Sequence, residues 1–438
     1  MGRVGRPGLS RSSACQRRDE MSMSIRALGW TALLASFVFA QPPTAPPQPA
    51  HNPGTAGKVE LGKLLFSEKR LSADGKVSCA TCHDPQKGFV DGIEQSKGIL
   101  QMAVGRNAPS MIAMGHVASF PVPIGHGKEL FGRQARERRV RIRGFPPQSK
   151  VKAVSLEERC LGPIENPLEM GDSIAGVVHA LNEDPEMRRR FDAAFSNGWK
   201  GVTRDRMGKA LAAFLRSLEL PRARFQLFLD GDTTALNDEE RDGLAIFEGV
   251  GRCNDCHSGP GLSDGKMHRI AMFNSPRAQW RRKVAQTRQT ELQRKLSVHQ
   301  RNAQKLSKVG KPGSAHEARM AALIGRVLTP PQGRVGGYGQ DLRTFDIQAH
   351  TLPLWDVPRT GPYFRDGSAK RLDVAVAQHI TEMRAVAASR RSNRASVAAI
   401  PTELKPSWAA SPPPAPGELR KDELGKLMAF LRTLSAGD

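Results

Sequence analysis

CATCH at residues 79–83 and CNDCH at residues 253–257 are the two most informative stretches of this sequence. Two thiols at the Cys-x-x-Cys spacing can meet the two vinyl groups of one porphyrin, and the histidine that follows directly can reach the iron. A redox dithiol or half of a zinc site is the alternative for an isolated Cys-x-x-Cys pair. The immediate histidine in both copies, with no further paired cysteines, instead predicts a c-type cytochrome with two covalently bound haems. The predicted attachment residues are Cys79, Cys82 and His83 in the first copy and Cys253, Cys256 and His257 in the second.

Length and charge limit the classes of protein to which the chain can belong. With 438 residues it is long enough for two or three domains, each with its own core. The formal net charge is +23, and the excess is concentrated in residues 136–143 and 277–334 with little aromatic interleaving. That pattern favours a solvated or docking surface over nucleic-acid binding, so no nucleic-acid partner is expected. A positive face of this kind suits an acidic redox partner.

The amino-terminal part of the chain has the features of an export signal. Met21 or Met23 can serve as the start, followed by Arg26 and an apolar run over 27–40. The run is short for a membrane span and ends in small residues at cleavage-site offsets, which favours a cleaved signal peptide over a membrane anchor. We therefore predict upstream sequence plus a signal peptide over 1–40 and a Pro-rich spacer over 41–54. Export to the periplasm agrees with haem c, because haem c is attached outside the bacterial cytoplasm.

The rest of the chain is predicted to be mainly α, with two tandem cytochrome c-type domains that each hold a covalently bound haem. Apolar residues at helical spacing predict helices at 57–66, 173–181, 185–195, 204–218, 238–250 and 419–434. A helix, a glycine turn and a Cys-x-x-Cys-His motif follow one another twice, which predicts a first domain over 55–230 and a second over 236–438. Two basic segments, 133–150 and about 275–333, lack an apolar period. We interpret them as surface insertions or disordered arms, the longer one within the second domain.

Six stretches of the sequence follow one another in an order known from one protein family. They are LGKLLF (61–66), LSADGKVSCATCH (71–83), GRNAPS (105–110), SLEERCLGPIENPLEMG (155–171), RCNDCHSGPGLSDGK (252–266) and GPYFRDGS (361–368). This arrangement resembles the bacterial dihaem cytochrome c peroxidase family, which includes the MauG-type enzymes. The resemblance implies a first domain with a peroxide-reacting haem and a second with a six-coordinate electron-transfer haem. It also implies that His83 and His257 are the proximal iron ligands.

Glu169, in Pro167-Leu168-Glu169-Met170, matches by position the distal glutamate of the family. Heterolysis of peroxide needs a group that takes a proton from one oxygen and returns it to the other. A carboxyl group near a buried haem suits that role, because desolvation raises the pKa of such a group. Glu165 is a competing carboxylate, and the resemblance favours Glu169 as the catalytic residue.

The sixth ligand of the second haem is, in relatives, a methionine or tyrosine on the helix after the Gly-Pro-Tyr-Phe stretch. In this sequence the matching position holds His379, and Met383 lies one helical turn further on. Ligation by two histidines lowers the reduction potential, because imidazole stabilises the ferric state better than a thioether does. His379 is therefore the predicted distal ligand and Met383 the fallback, with a surface histidine as the alternative for His379.

Several features depart from the family pattern. Segment 91–104 lacks the histidine that blocks the first haem in some relatives, which predicts an open first haem unless His116 or His126 takes that place. The tryptophan that bridges the haems in relatives is missing, and Trp355 is one alternative route for electrons. Arg159 stands where relatives commonly have glutamine.

The resemblance also implies a calcium ion between the domains. Asn107 and the main-chain carbonyl groups of Thr351 and Pro353 match its ligands loosely. Oxygen donors of this kind suit calcium. A bound calcium ion is therefore expected in addition to the two haem c groups.

These features predict an oxidoreductase that reduces hydrogen peroxide to water with electrons from a small periplasmic cytochrome c or cupredoxin. The alternatives are a MauG-like high-valent haem enzyme that oxidises a protein side chain, and a dihaem electron-transfer cytochrome without peroxidase activity. The lack of histidine in 91–104 favours the MauG-like alternative, whereas the missing tryptophan argues against it. Glu169 in its matching context weighs against a pure electron carrier. A homodimer is compatible with the resemblance, because family members are often dimers.

Overall fold

The part of the chain that the structure describes is mainly helical, which confirms the prediction of a mainly α fold. In this computed structural model it comprises residues 45–124, 150–166, 168–195, 198, 200–269, 276–309, 317–318, 321–322, 324–325, 348–392 and 419–436. The predicted signal peptide and most of the basic segment 133–150 lie outside these residues. Within the same ranges, no helix combines the length and the apolar character that crossing a membrane requires.

Helices predicted from apolar spacing form within two residues of their expected ends. The helices are α1 (Ala56–Phe66), α2 (Cys79–Cys82), α3 (Leu156–Glu165), α4 (Ile174–Asn182), α5 (Pro185–Ala194), α6 (Arg204–Arg216), α7 (Arg224–Leu229), α8 (Asp238–Glu248), α9 (Pro276–Lys308), α10 (Leu372–Ser392) and α11 (Lys421–Arg432). Four short strands, β1 (Phe120–Ile124), β2 (Lys150–Val154), β3 (Met267–Arg269) and β4 (Gln348–His350), form two antiparallel pairs among the described residues, β1 with β2 and β3 with β4.

Side-chain caps explain where several of these helices begin. Asn237 accepts a hydrogen bond from the backbone N–H of Glu240 at 2.9 Å, and the Glu240 carboxylate accepts one from the N–H of Asn237 at 3.0 Å. This reciprocal capping box satisfies two donors that a helix start otherwise leaves unpaired. It fixes the start of α8, the helix that leads into the second Cys-x-x-Cys-His motif, as the sequence predicts.

Buried apolar side chains form two clusters. The first cluster gathers α1, α3, α4, α5 and α6. The second cluster gathers α7, α8 and α11, together with the buried ring of Trp355. Burial of such side chains is the main favourable term in folding. The first Cys-x-x-Cys-His motif therefore follows α1 of the first cluster, and the second motif follows α8 of the second cluster.

A glycine lets two helices touch within each cluster. α1 packs against α6 at Gly62, where an added Cβ atom would lie 2.0 Å from a backbone oxygen of α6. α8 packs against α11 at Gly243, where an added Cβ atom would lie 2.0 Å from a backbone oxygen of α11. A phenylalanine flanks each contact, since the Cβ atoms of Phe214 and Phe430 lie 2.7 and 2.8 Å from those positions. The helix before each motif thus packs against its partner helix in the same way.

The described part of the basic segment 275–333, which was interpreted as a surface insertion or a disordered arm, is helical and packs onto the first cluster. Its described part contains α9, a helix of 33 residues. Leu296 of α9 packs against the first cluster, and Ile324 is a fully buried member of that cluster. His299 and Glu317 join the two pieces through a contact of 2.5 Å. The segment has few apolar residues, but Leu296 is partly buried and Ile324 is fully buried, so this part of the segment packs onto the first cluster.

Candidate dihaem site

The first Cys-x-x-Cys-His motif forms a single helical turn followed by a tight loop. α2 presents the thiols of Cys79 and Cys82, and the N–H of His83 donates to the carbonyl of Cys79 at 2.9 Å. The chain then reverses at Phe89, a residue with φ of 61° in the left-handed region. This reversal brings the Phe89 carbonyl oxygen to 3.1 Å from Nδ1 of His83. With Nδ1 protonated and donating to that carbonyl, Nε2 keeps its lone pair for a metal.

The second motif repeats this arrangement. The N–H of His257 donates to the carbonyl of Cys253 at 2.8 Å. Nδ1 of His257 lies 3.1 Å from the carbonyl oxygen of Leu262, which again has a left-handed backbone with φ of 50°. Both histidines are therefore fixed in the same tautomer by a strained loop residue a few positions further along the chain. Such second-shell hydrogen bonds orient a ligating histidine and increase its basicity.

The donor set at both motifs fits haem c. Each thiol is free of disulfide bonds. Burial raises the pKa of Cys79, Cys253 and Cys256 to about 12 and that of Cys82 to about 11. Desolvation lowers the pKa of both motif histidines, which keeps their rings neutral, as ligation of iron requires. A structural zinc site needs four ligands, and within the described ranges no three His, Cys, Asp or Glu side chains are grouped to hold a metal ion.

Glu169 lies beside the first motif in contact with an arginine that the sequence analysis did not single out. Its carboxylate forms an ion pair with Arg106, and the two side chains are 14% and 22% exposed. The positive charge of Arg106 also acts on His83, whose pKa is lowered first by burial and further by that charge. An arginine within contact favours the ionised form of a carboxylate, which is the form that accepts a proton. The pair therefore places a proton acceptor within electrostatic reach of the first motif.

The competing carboxylate, Glu165, is placed differently. It ends α3 and faces Arg204 at 3.8 Å. Burial raises the pKa of Glu165, and the charge of Arg204 opposes that effect. Glu169 and Glu165 thus differ in the arginine that each meets, and only Arg106 acts on His83.

His379 and Met383 lie one turn apart on α10. Leu372, Val376 and Ile380 of this helix pack against the second cluster. His379 follows Val376 by three positions, which puts it next to that residue along one side of the helix. Its ring is half-buried, whereas Met383 is 7% exposed. α10 therefore presents both predicted ligands from a helix that packs on the cluster of the second motif.

Aromatic residues connect the surroundings of the two motifs. Phe89, whose carbonyl holds His83, packs against both apolar clusters. Trp355 is 1% exposed, lies in the second cluster and donates from Nε1 to the carbonyl of Pro260 at 2.8 Å. Pro260 lies three residues after His257, so the tryptophan weighed as an alternative route contacts the loop of the second motif. Neither the role of Phe89 nor that of Arg106 could be inferred from spacing in the sequence.

The histidine weighed as a blocking ligand of the first haem lies at the other motif. Gly261 follows the second motif, and an added Cβ atom there would lie 3.0 Å from the Cβ atom of His116. Burial lowers the pKa of His116. His116 therefore contacts the loop of the second motif, and His126 lies outside the described residues.

The predicted calcium ligands contact two different segments. The Asn107 side chain donates to the carbonyl of Pro362, and its Oδ1 is buried without a hydrogen-bond partner in the described part of the chain. The Thr351 carbonyl accepts a hydrogen bond from Ser263 Oγ at 2.6 Å. Pro353 lies in the same irregular segment as Thr351. An unpartnered amide oxygen is compatible with a cation, whereas the Thr351 carbonyl already has a protein partner.

Both motifs, with their matched histidine contacts, have the features that a c-type cytochrome with two haem sites requires. Residues 56–234 match the family model of the di-haem cytochrome c peroxidases. The chain is 31% identical over 255 residues to the cytochrome c551 peroxidase of Nitrosomonas europaea, covering 58% of this chain and 67% of that protein. The chain therefore belongs to the dihaem cytochrome c peroxidase family, whose members are oxidoreductases, and membership implies haem c.

Further relatives include one protein named as a peroxidase and one named MauG. The cytochrome-c peroxidase IdrP2 of a Pseudomonas strain is 31% identical over 271 residues, covering 59% of this chain and 64% of that protein. The methylamine utilization protein MauG of Methylorubrum extorquens is 32% identical over 234 residues, covering 52% and 57%. The matches thus span about two thirds or less of these relatives' own lengths.

Solved structures agree at the level of the fold. A MauG-like protein associated with microbial copper homeostasis matches with a TM-score of 0.53 and 21% identity, covering 92% of this chain and 95% of that one. A variant of the diheme peroxidase BthA from Burkholderia thailandensis matches with a TM-score of 0.51 and 19% identity, covering 88% and 87%. At these identities the likeness supports the fold alone.

Proposed function

We propose that this protein is a peroxidase that reduces hydrogen peroxide to water with electrons from a small periplasmic redox protein. The observation that carries the proposal is the Glu169–Arg106 ion pair beside the first motif. A pure electron carrier has no use for a half-buried proton acceptor held by an arginine at that place. Relatives named cytochrome c peroxidase support the same activity.

The proposed reaction combines one peroxide molecule, two electrons and two protons into two molecules of water. Haem c held by Cys79, Cys82 and His83 would supply the iron chemistry at which the oxygen–oxygen bond breaks. Glu169 takes a proton from the nearer peroxide oxygen and returns it to the leaving one, so that water and not hydroxide departs. Arg106 holds the carboxylate ionised and in place before the proton arrives. The electrons come one at a time from the donor protein through the second site.

The finer features of the assembly belong to the same proposal. The repeated glycine crossing at Gly62 and Gly243 supports two tandem cytochrome units, each with one covalently bound haem. His379, with Met383 as the alternative, would complete the ligation of the second iron. The unpartnered Oδ1 of Asn107 supports a calcium ion nearby. Export by a signal peptide to the periplasm and assembly as a homodimer complete the expectation.

A second candidate is MauG-like oxidation of a protein side chain. Segment 91–104 contains no histidine to block the first haem. A relative of 32% identity is named MauG. The two are distinguished by the electron source: a peroxidase consumes peroxide in proportion to a supplied reduced donor, whereas a side-chain oxidase consumes peroxide only with its target protein present.

The decisive experiment measures peroxide consumption by the holoprotein with a reduced small cytochrome as donor. Glu169→Gln keeps the size and hydrogen-bonding ability of the side chain but cannot accept a proton. We expect both haems to remain and turnover to fall by about 10²- to 10⁴-fold. Glu165→Gln is the matched control and should keep most of the activity. Full turnover in the Glu169→Gln protein, with its haem content unchanged, would discard the assignment.

A further inference from the structure

The residues around Glu169 form a loop that pairs with itself. The N–H of Ser96 donates to the carbonyl of Arg106 at 3.1 Å, and the N–H of Val104 donates to the carbonyl of Ser96 at 2.9 Å. Nearer the tip, the N–H of Gly98 donates to the carbonyl of Met102 at 2.9 Å. We call residues 96–106 the Ser96–Arg106 loop. Its internal hydrogen bonds make base and tip move together.

The loop meets Glu169 at both ends. At its base, Arg106 pairs with the Glu169 carboxylate. At its tip, the N–H of Ile99 donates to the Glu169 carbonyl at 3.0 Å. The backbones are also in direct contact, because an added Cβ atom on Gly98 would lie 1.8 Å from the carbonyl oxygen of Leu168. Any displacement of the loop therefore displaces Glu169.

The backbone at the tip of the loop has a conformation that is unfavourable without contacts from outside the loop. Leu100 and Gln101 have φ values of 55° and 57°, in the left-handed region that favours glycine. Two consecutive residues of this kind persist only where their surroundings over-determine the conformation. The contacts that hold the tip are therefore part of what positions Glu169.

Two charged side chains from different parts of the chain hold Leu100. Its N–H donates to Asp74 Oδ2 at 3.1 Å, and its carbonyl accepts from Lys295 Nζ at 2.8 Å. Asp74 lies in the turn that leads into the first motif and also accepts from the N–H of Lys76 at 3.0 Å. Lys295 lies on α9, and the next residue, Leu296, packs against the first cluster. The residue next to each holding group, Ala73 or Leu296, thus packs against the first cluster.

We propose that Lys295 is a positioning residue: it fixes the tip of the Ser96–Arg106 loop so that Glu169 keeps one position beside the first motif. The basic segment that carries Lys295 then has a function in catalysis, although it contributes no group to the reaction. The inference rests on the proposed role of Glu169. It assigns to α9 the task of keeping the first site in one arrangement.

The test compares three variants of the holoprotein. Lys295→Met removes the donor and keeps the apolar stem, Lys295→Arg keeps a donor, and Lys305→Met removes an exposed charge from the same helix as the control. Hydrogen exchange over 98–102 reports the tip directly. We expect exchange there to rise by about tenfold in Lys295→Met only. The kcat for peroxide should fall by about tenfold as well, because a displaced catalytic group slows the chemical step. The KM for the electron donor should not change, and Lys295→Arg should recover most of the kcat.

The outcomes separate this inference from the proposed function. Wild-type exchange in Lys295→Met, or an equal rise in Lys305→Met, would show that Lys295 does not hold the tip. A faster-exchanging tip with an unchanged kcat would show that the tip does not position Glu169. A wild-type holoprotein that turns over no peroxide would overturn the proposed function. In that case the exchange of the Ile99 amide, which bonds the Glu169 carbonyl, still decides whether Lys295 keeps the two together.

Discussion

The two Cys-x-x-Cys-His sites share the contact on Nδ1 of the histidine and differ in the other groups around it. In both, Nδ1 lies 3.1 Å from the carbonyl of a left-handed residue, Phe89 in one and Leu262 in the other. The first site adds a carboxylate and an arginine, whereas the second adds a buried indole and a helix that carries a histidine and a methionine. Histidine contacts that match so closely do not distinguish the two sites. What distinguishes them is the set of groups on the remaining sides.

The largest expected effect comes from removing the ligand proposed to be particular to the second site. In His379→Ala we expect the ferric low-spin EPR signal of the second haem to be lost or replaced, because a neutral imidazole is a strong iron ligand. Met383→Leu keeps the volume and apolar character of its site and serves as the control. An unchanged signal in His379→Ala together with a changed one in Met383→Leu would assign the ligand to the methionine.

The next effect tests whether the two units are built alike. Gly62→Ala and Gly243→Ala each place a Cβ atom 2.0 Å from a backbone oxygen of the partner helix, so that helix must move. We expect each substitution to lower the free energy of unfolding by about 3 kcal/mol, as measured by denaturant titration.

Gly425→Ala is the matched control for these two variants. It lies on α11 with nothing within 4 Å of its added Cβ atom. Alanine is the better helix former, so this change should stabilise the protein by about 0.5 to 1 kcal/mol. Equal effects at Gly62 and Gly243 support one repeated architecture. A loss of stability in Gly62→Ala without one in Gly243→Ala would show that the two helix contacts are not equivalent.

The features repeated between the two units were the ones that the sequence could predict. The attachment residues follow from a local spacing, and the helices follow from local periodicity, as with Asn237 and Glu240 at the start of α8. Glu169 was identified only through resemblance, because nothing local separates it from Glu165. Local patterns therefore sufficed for the helices, which the structure confirms, whereas the attachment residues stay a prediction.

Long-range contacts account for what the sequence could not predict. Arg106 and Glu169 are far apart in the chain, and no periodicity relates them. Lys295 was assigned to an insertion without chemistry because its segment is polar, and a single apolar residue, Leu296, packs it onto the first cluster. His116 was weighed for the first site but contacts the loop of the second. In each case a contact across the fold determines the role, and spacing carries no information about such contacts.

The last prediction compares one ion pair beside each apolar cluster and appears as a dependence of stability on pH. Burial by itself raises the pKa of Glu157, but hydrogen bonds from Arg216 and Asn52 outweigh it and lower the pKa to about 2. A folded pKa below the unfolded value stabilises the protein above the unfolded value, and this stability is lost as the pH falls from 4.5 to about 2. Glu157→Gln should lower the free energy of unfolding by roughly 3 kcal/mol at neutral pH. The stability of this variant should also fall less steeply than that of the wild type as the pH decreases.

The second unit supplies the control for that variant. Glu240 pairs with Arg224, whose side chain is 46% exposed, so water weakens the attraction. Glu240→Gln keeps the reciprocal cap of α8 and should cost less than about 1 kcal/mol. Denaturant titrations of both variants from neutral pH to pH 3 give the comparison directly. Similar losses at neutral pH would mean that burial of the partner arginine does not set the strength of these pairs, and that the two units resist acid alike.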